Sequence, residues 1–149
     1  MRAVVIRVSR ADITINGEKG GNIGKGLLVL LGINHEDTEK ECKYLAEKCI
    51  GLRIFEDENG KMNKGLTDVC GEIMLVSNFT LYADCSHGKR PSFINAARPE
   101  QAIPLYEKFK DVLRENGVSF VTGEFGADMQ VSLINDGPVT ILLDSGRLF

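Results

Sequence analysis

Two short stretches hold the groups with which this chain could act on a ligand: Ser77-Asn78-Phe79-Thr80-Leu81 and Ile134-Asn135-Asp136-Gly137-Pro138-Val139-Thr140. In the first, Ser77 and Thr80 are hydroxyls without an evident base, and an unassisted hydroxyl is a poor nucleophile at neutral pH. Taken alone, they read as residues that hydrogen-bond the end of a strand. What a strand end offers a substrate is main-chain N–H groups aimed at one oxygen, an oxyanion-type arrangement that needs no titrating group. The second stretch lies between two apolar runs. Gly137 permits a positive φ, Pro138 fixes its own φ and removes an N–H, and the Asn135 and Asp136 side chains can cap the backbone. By itself it predicts an ordinary hairpin turn.

Other chemistries are poorly served. His35 and His87 lie in polar loop contexts with no partner at ligand spacing, and no Ser-His-Asp set or facing pair of acids is legible, so no metal site is expected. The four cysteines (Cys42, Cys49, Cys70, Cys85) contain no C-x-x-C; Cys42 and Cys49, seven apart, read as core positions. Gly21, Gly24 and Gly26 resemble a phosphate cradle, but the apolar strand Leu27–Leu31 follows them instead of a helix. The dinucleotide reading fails on that context, and no cofactor is expected. With a net charge of −3, any anionic partner must be met by a local basic patch, and neither DNA nor a membrane is an expected partner. No window approaches the ~18 apolar residues of a membrane span. Met1–Val8 reads as a strand, not a signal peptide, which leaves the cytoplasm as the default location.

At 149 residues, one domain spanning 1–149 is expected. Residues 2–10 and Asp12–Asn16 read as strand, Asn16–Gly21 as a glycine-rich hairpin loop, and Leu27–Leu31 as a buried strand. Thr38 with Glu41 has the form of a capping box, and Cys42, Leu45, Ala46 and Cys49 share one helical face that should end near Gly51. Gly71–Val76 is a buried strand delivering Ser77–Leu81. Residues 84–93 are too irregular for regular structure. A second helix opens at Pro99, buries Ala102, Leu105, Tyr106, Phe109, Val112 and Leu113, and stops at Gly117. Two final strands flank Gly137-Pro138. The pattern predicts an α+β domain of mainly antiparallel sheet, barrel-like and two-layered, covered on one side by two helices. A strand-then-helix unit occurs twice (27–50 and 73–116), which hints at a duplicated core.

Along nearly its whole length the chain resembles the D-aminoacyl-tRNA deacylases (D-tyrosyl-tRNA deacylases). The resemblance is carried by Arg7, Gly26–Gly32, Lys61-Met62-Asn63, Ser77–Leu81, Arg90-Pro91-Ser92-Phe93, Ala127–Val131 and Asn135–Thr140. One position departs: the family motif reads Ser-Gln-Phe-Thr, and Asn78 keeps the amide on a side chain one methylene shorter. The resemblance implies an enzyme that hydrolyses the ester between a D-amino acid, or glycine, and the 3′-terminal adenosine of tRNA. It implies a homodimer with active sites at the interface, where a cis Gly137-Pro138 from one subunit would wall off the space of an L side chain in the other, rejecting the wrong enantiomer. Ser77, Asn78, Phe79 and Thr80 would form the catalytic set, with the Phe79 and Thr80 N–H groups on the ester oxygen. Water assisted by the ribose 2′-hydroxyl is preferred to Thr80 as nucleophile. Arg7 would brace the gate, against the alternative of a solvated strand charge. Phe125 and Met129 would line the adenosine side, against plain core packing. Lys89, Arg90 and Arg98 would meet tRNA phosphates, against solvated surface charge. Two rival readings stand beside this one: a non-catalytic tRNA acceptor-end binding module, and an interaction protein using Gly137-Pro138 as a dimer contact.

Overall fold

The structure is a computed structural model and describes residues 1–148. Its elements are β1 (Arg2–Ile15), β2 (Glu18–Ile23), β3 (Gly26–Gly32), α1 (Glu39–Gly51), β4 (Phe55–Glu56), β5 (Met62–Lys64), β6 (Glu72–Ser77), α2 (Pro99–Glu115), β7 (Phe120–Thr122) and β8 (Met129–Asp144), with 3₁₀ turns at Thr67–Val69 and Phe79–Tyr82. The fold is α+β, as expected. Its spine is β1, a single strand where the sequence pattern predicts two. One edge of β1 carries β3 along Arg2–Val8 and then β2 along Ala11–Ile15, while the other edge carries β8. All three of those pairings are antiparallel. The remaining two, β3 with β6 and β6 with β7, are parallel, so the sheet is mixed. The reason lies in the two strand-then-helix units: a helical crossover returns the chain to the same end of the sheet, which makes the strands it joins parallel.

The glycine-rich segment is mostly strand, contrary to the sequence reading. Only Asn16-Gly17 makes the turn, and Gly20 and Gly21 belong to β2. A Cβ on Gly21 would stand 2.7 Å from Val121 Cγ1, so β2 lies flush against β7 there and the sheet is nearly closed. The Asn-Asp-Gly-Pro stretch is likewise no hairpin. β8 runs through it without reversing and pairs with β1 on both sides. Between the pairs Ile6–Thr140 and Val8–Asn135, β8 advances five residues (140 − 135) and β1 two (8 − 6), so the turn-forming residues bulge out of a continuous strand.

Continuous apolar runs in β3 and β6 follow from burial on both faces. Leu27, Val29 and Leu31 of β3 pack with Ile73 and Leu75 of β6 against the helices, meeting Cys42, Leu45 and Cys49 of α1 and Tyr106, Phe109 and Leu113 of α2. Leu28, Met74 and Val76 point the other way, into the curl of the sheet with Val8, Ala11, Ile13 and Ile23. Thr38 caps α1 with the expected box: its Oγ1 accepts from the Lys40 N–H at 3.3 Å, and its own N–H donates to Glu41 Oε2 at 3.0 Å. Pro99 opens α2, and the six residues it buries are those its sequence period selects.

Burial pushes the thiols of Cys42 and Cys49 up from 9.0 to about 12. Both stay protonated in the folded chain over a range where an unfolded chain would lose those protons. Their contribution to stability is therefore complete below pH 9 and is lost as pH climbs from 9 toward 12. Urea midpoints should fall across that window, and fall less steeply in Cys49→Ala; a flat profile would contradict the assigned burial.

Candidate active site

Main-chain pairing places the first motif. β6 reaches Ser77 opposite Leu31 of β3, and the Asn78 N–H still donates to the Leu31 carbonyl at 2.8 Å. At Asn78 (φ −145°, ψ 85°) the chain leaves the strand and enters the 3₁₀ turn Phe79–Tyr82. The first N–H groups of such a turn have no partner within it. Those of Phe79 and Thr80 find no acceptor among the described residues, whereas the Leu81 N–H closes back on Asn78 O at 3.3 Å. This strand end opens on a cavity of about 220 Å³.

Ser77, Asn78 and Phe79 line that cavity together with Phe125 and Met129, and Leu31 and Ile33 are also in its wall. Of the residues the sequence singles out, Ser77, Asn78, Phe79, Phe125 and Met129 meet here. Phe125 is steadied by an edge contact with Tyr106 (ring centroids 6.1 Å apart, 63° between planes), and Tyr106 Oη donates to Leu75 O at 2.9 Å. Burial raises the Tyr106 hydroxyl well above the usual phenol range. Thr80 does not line the cavity. Its hydroxyl donates to the Asn78 carboxamide oxygen, which ties two members of the motif together. The lining contains no histidine, carboxylate, lysine or cysteine. Among the described residues, the lining presents dipoles and apolar walls and no titrating side chain.

Gly137-Pro138 lies outside this cavity within the chain. Its peptide bond is cis and both residues are exposed. Asn135 spans the bulge, accepting the Val139 N–H on Oδ1 at 3.1 Å and donating from Nδ2 to Thr140 Oγ1 at 3.1 Å. Beneath the bulge sits Arg7, only 5% exposed. Its Nη1 donates to Ile54 O at 2.6 Å and its Nε to Asp136 O at 3.1 Å, with Asp136 Oδ2 3.3 Å from the same nitrogen. Arg7 is therefore not a solvated strand charge. Gly137 has φ +122°, and a Cβ there would stand 2.8 Å from Arg7 Nη2.

Lys89 and Arg90 occupy the irregular segment, pinched at its base by reciprocal main-chain bonds between Asp84 and Ser92 (2.8 and 2.9 Å). Arg98 is the N-cap residue of α2, directly after the cavity residue Ala97. All three are exposed. Sequence reasoning gave Phe93 no role, yet its ring meets Phe79 edge-on at 5.1 Å. No periodicity marks it, because the segment has none. Among the described residues no cluster of His, Cys, Asp or Glu could hold a metal ion, and no helix is long and apolar enough to cross a membrane.

Comparison with known proteins gives these residues a context. The family model described as D-Tyr-tRNA(Tyr) deacylase matches residues 4–144. A D-aminoacyl-tRNA deacylase of Thermotoga petrophila is 56% identical over 149 residues, covering 100% of both chains. One from Thermus aquaticus is 58% identical over 147 residues, covering 99% of this chain and 97% of its own. Among solved structures, the c-Myc DNA Unwinding Element Binding Protein superposes with a TM-score of 0.90 at 46% identity, covering 97% of this chain and 98% of its own. A protein described as "a probable eukaryotic D-amino acid tRNA deacylase" shares the fold at a TM-score of 0.82 and 15% identity, over 95% of this chain and 97% of its own. A match to the family model over residues 4–144 and relatives more than half identical over at least 97% of each chain lead to one conclusion: this chain belongs to the D-Tyr-tRNA(Tyr) deacylase family.

Proposed function

We propose that the chain is an editing hydrolase that cleaves the ester of D-aminoacyl-tRNA, and of glycyl-tRNA, releasing the amino acid and free tRNA. The single observation that carries this reading is the cavity at the end of β6, with the unpartnered Phe79 and Thr80 N–H groups beside it and no titrating side chain in its lining. Such a site stabilises a developing oxyanion through main-chain dipoles. The proton transfers then fall to water and to the ribose 2′-hydroxyl next to the ester. Thr80 orients through Asn78 and is not the nucleophile.

Chirality is sorted by exclusion in this reading. Two copies associate, and the exposed Gly137-Pro138 bulge of one enters the cavity of the other, where its main chain fills the space an L side chain needs. Glycine has no side chain to exclude and is hydrolysed too. Three observations support the arrangement: Gly137-Pro138 stands clear of its own cavity, Arg7 and Asn135 hold the bulge from behind, and Leu133, Ile134 and Leu142 leave apolar surface exposed along the same strand.

Side-by-side incubation with D- and L-tyrosyl-tRNA, resolved on acid gels, tests the reading. Loss of the D ester alone is expected; binding without ester loss would leave only an acceptor-end binding module. Removing the 2′-hydroxyl from the terminal ribose should slow the reaction by about a hundredfold, in the range of a lost general acid–base partner. Thr80→Val should cost less, on the scale of one hydrogen bond. If Thr80→Val abolishes turnover with binding intact and Thr80→Ser restores it, Thr80 is the nucleophile and water attack is wrong.

A further inference from the structure

The rim of the cavity carries an aromatic pair that its interior does not explain. Phe79 is 55% exposed and Phe93 38%, and their rings meet edge to face at 5.1 Å and 69°. Phe93 is not on a free loop. Ser92 is bonded both ways to Asp84, the Phe93 carbonyl accepts from the Ala96 N–H at 3.0 Å, and the Ala97 N–H donates to Ile33 O at 2.8 Å. The main chain therefore holds an aromatic ring in water at the mouth of a site, beside Ile94, itself 83% exposed. From Cys85 to Pro99 the sequence contains Lys89, Arg90 and Arg98 and no acidic residue, in a chain whose net charge is −3. None of the three cations is ion-paired among the described residues.

We propose that the Phe79–Phe93 rim, with Lys89 and Arg90 beside it, is a stacking platform for the unpaired nucleotide preceding the terminal adenosine of the tRNA acceptor end. This deepens the deacylase reading and rests on it. The chemistry is that of single-strand recognition generally: exposed rings take the face of any base, and nearby cations take the backbone phosphates. A cavity of about 220 Å³ lies below the usual range of small-molecule sites, so it holds little beyond the terminal unit, and what precedes that unit lies outside the cavity. A second copy of the chain is the less fitting occupant of the rim itself, because the segment that carries Phe93 is cationic in sequence and the exposed apolar strand surface lies elsewhere, on β8.

The test compares D-tyrosyl-adenosine with the D-tyrosyl trinucleotide CCA and reads the gain in kcat/KM on lengthening the substrate. In Phe93→Ala and Phe93→Leu that gain should shrink roughly tenfold, within KM and not kcat, while Phe93→Trp keeps it. Leucine preserves the apolar contact with Phe79, so a loss in Phe93→Leu at an unchanged melting temperature is not a folding defect. Lys89→Ala/Arg90→Ala should flatten the salt dependence of KM for the longer substrate by about 1.4 in log–log slope, at ~0.7 per phosphate contact on a single strand. A gain that survives in Phe93→Ala, or a change in oligomer size on sedimentation, overturns the platform and leaves the deacylase reading standing. A wild-type chain inert toward both substrates removes that reading, and the platform with it.

Discussion

Replacing Arg7 by alanine should cost about 2–4 kcal/mol of stability and blur the distinction between D- and L-aminoacyl-tRNA. The guanidinium is buried and bridges two parts of the chain: Ile54, just before β4, and Asp136, in the β8 bulge. Removing it leaves the Ile54 carbonyl without its charged donor, and a buried acceptor stripped of such a bond loses about 1–3 kcal/mol. The cavity left by a long side chain adds to that. Arg7→Lys should recover little, because an ammonium is a single point donor and does not reproduce a planar fork spanning two carbonyls. If Gly137-Pro138 is the gate, losing its support lets it yield to an L side chain. The ratio of D- to L-tyrosyl-tRNA hydrolysis should then fall by roughly tenfold, corresponding to ~1.4 kcal/mol of lost exclusion. Chemical denaturation reads the first effect and paired deacylation assays the second. A destabilised variant with undiminished selectivity would make Arg7 a structural brace with no part in handedness.

Gly26→Ala should be the most damaging of the conservative substitutions. A Cβ there would lie 2.0 Å from the Glu72 carbonyl oxygen and 2.8 Å from the Glu72 nitrogen, both main-chain atoms of the neighbouring parallel strand. Backbone cannot move aside as a flexible side chain does, so β3 and β6 must separate at the start of their ladder. The cost should be about 3 kcal/mol, the upper end of overpacking, which for a chain of this size lowers Tm by about 10 °C. Activity should fall with it, because the same ladder sets Ser77 opposite Leu31 and aims the strand end at the cavity. Gly51→Ala is the internal control. No atom lies within 4 Å of a Cβ placed there, at the last position of α1, and alanine should raise Tm slightly through helix propensity. Equal melting temperatures for the two variants would contradict the close approach of β3 and β6.

Much of the local structure was legible because it is written in short-range chemistry. The Thr38–Glu41 box, the apolar face of α2 and the doubly buried runs of β3 and β6 all involve residues a few positions apart, where period and propensity act directly. The two stretches singled out at the start were marked in the same way, Ser77–Thr80 by the end of an apolar run and Gly137-Pro138 by turn chemistry. Family resemblance then assigned them roles that composition and spacing do not contain.

Long-range pairing decided the rest. A turn signal fixes the conformation of four residues, but whether the chain reverses depends on its partners; β1 is long enough to pair on both sides of Asn135–Thr140, so the expected hairpin became a bulge. Gly20 and Gly21 read as a loop because glycine is common in loops, yet in the fold the lack of a side chain lets β2 lie against β7 and nearly close the sheet. No periodicity marked Phe93, and its contact with Phe79 is made where the Asp84–Ser92 bridge folds an irregular segment back on itself. Arg7 shows the division most clearly: the sequence determined that a cation sits mid-strand on β1, and only the tertiary structure buried it, with hydrogen bonds to the Ile54 and Asp136 carbonyls.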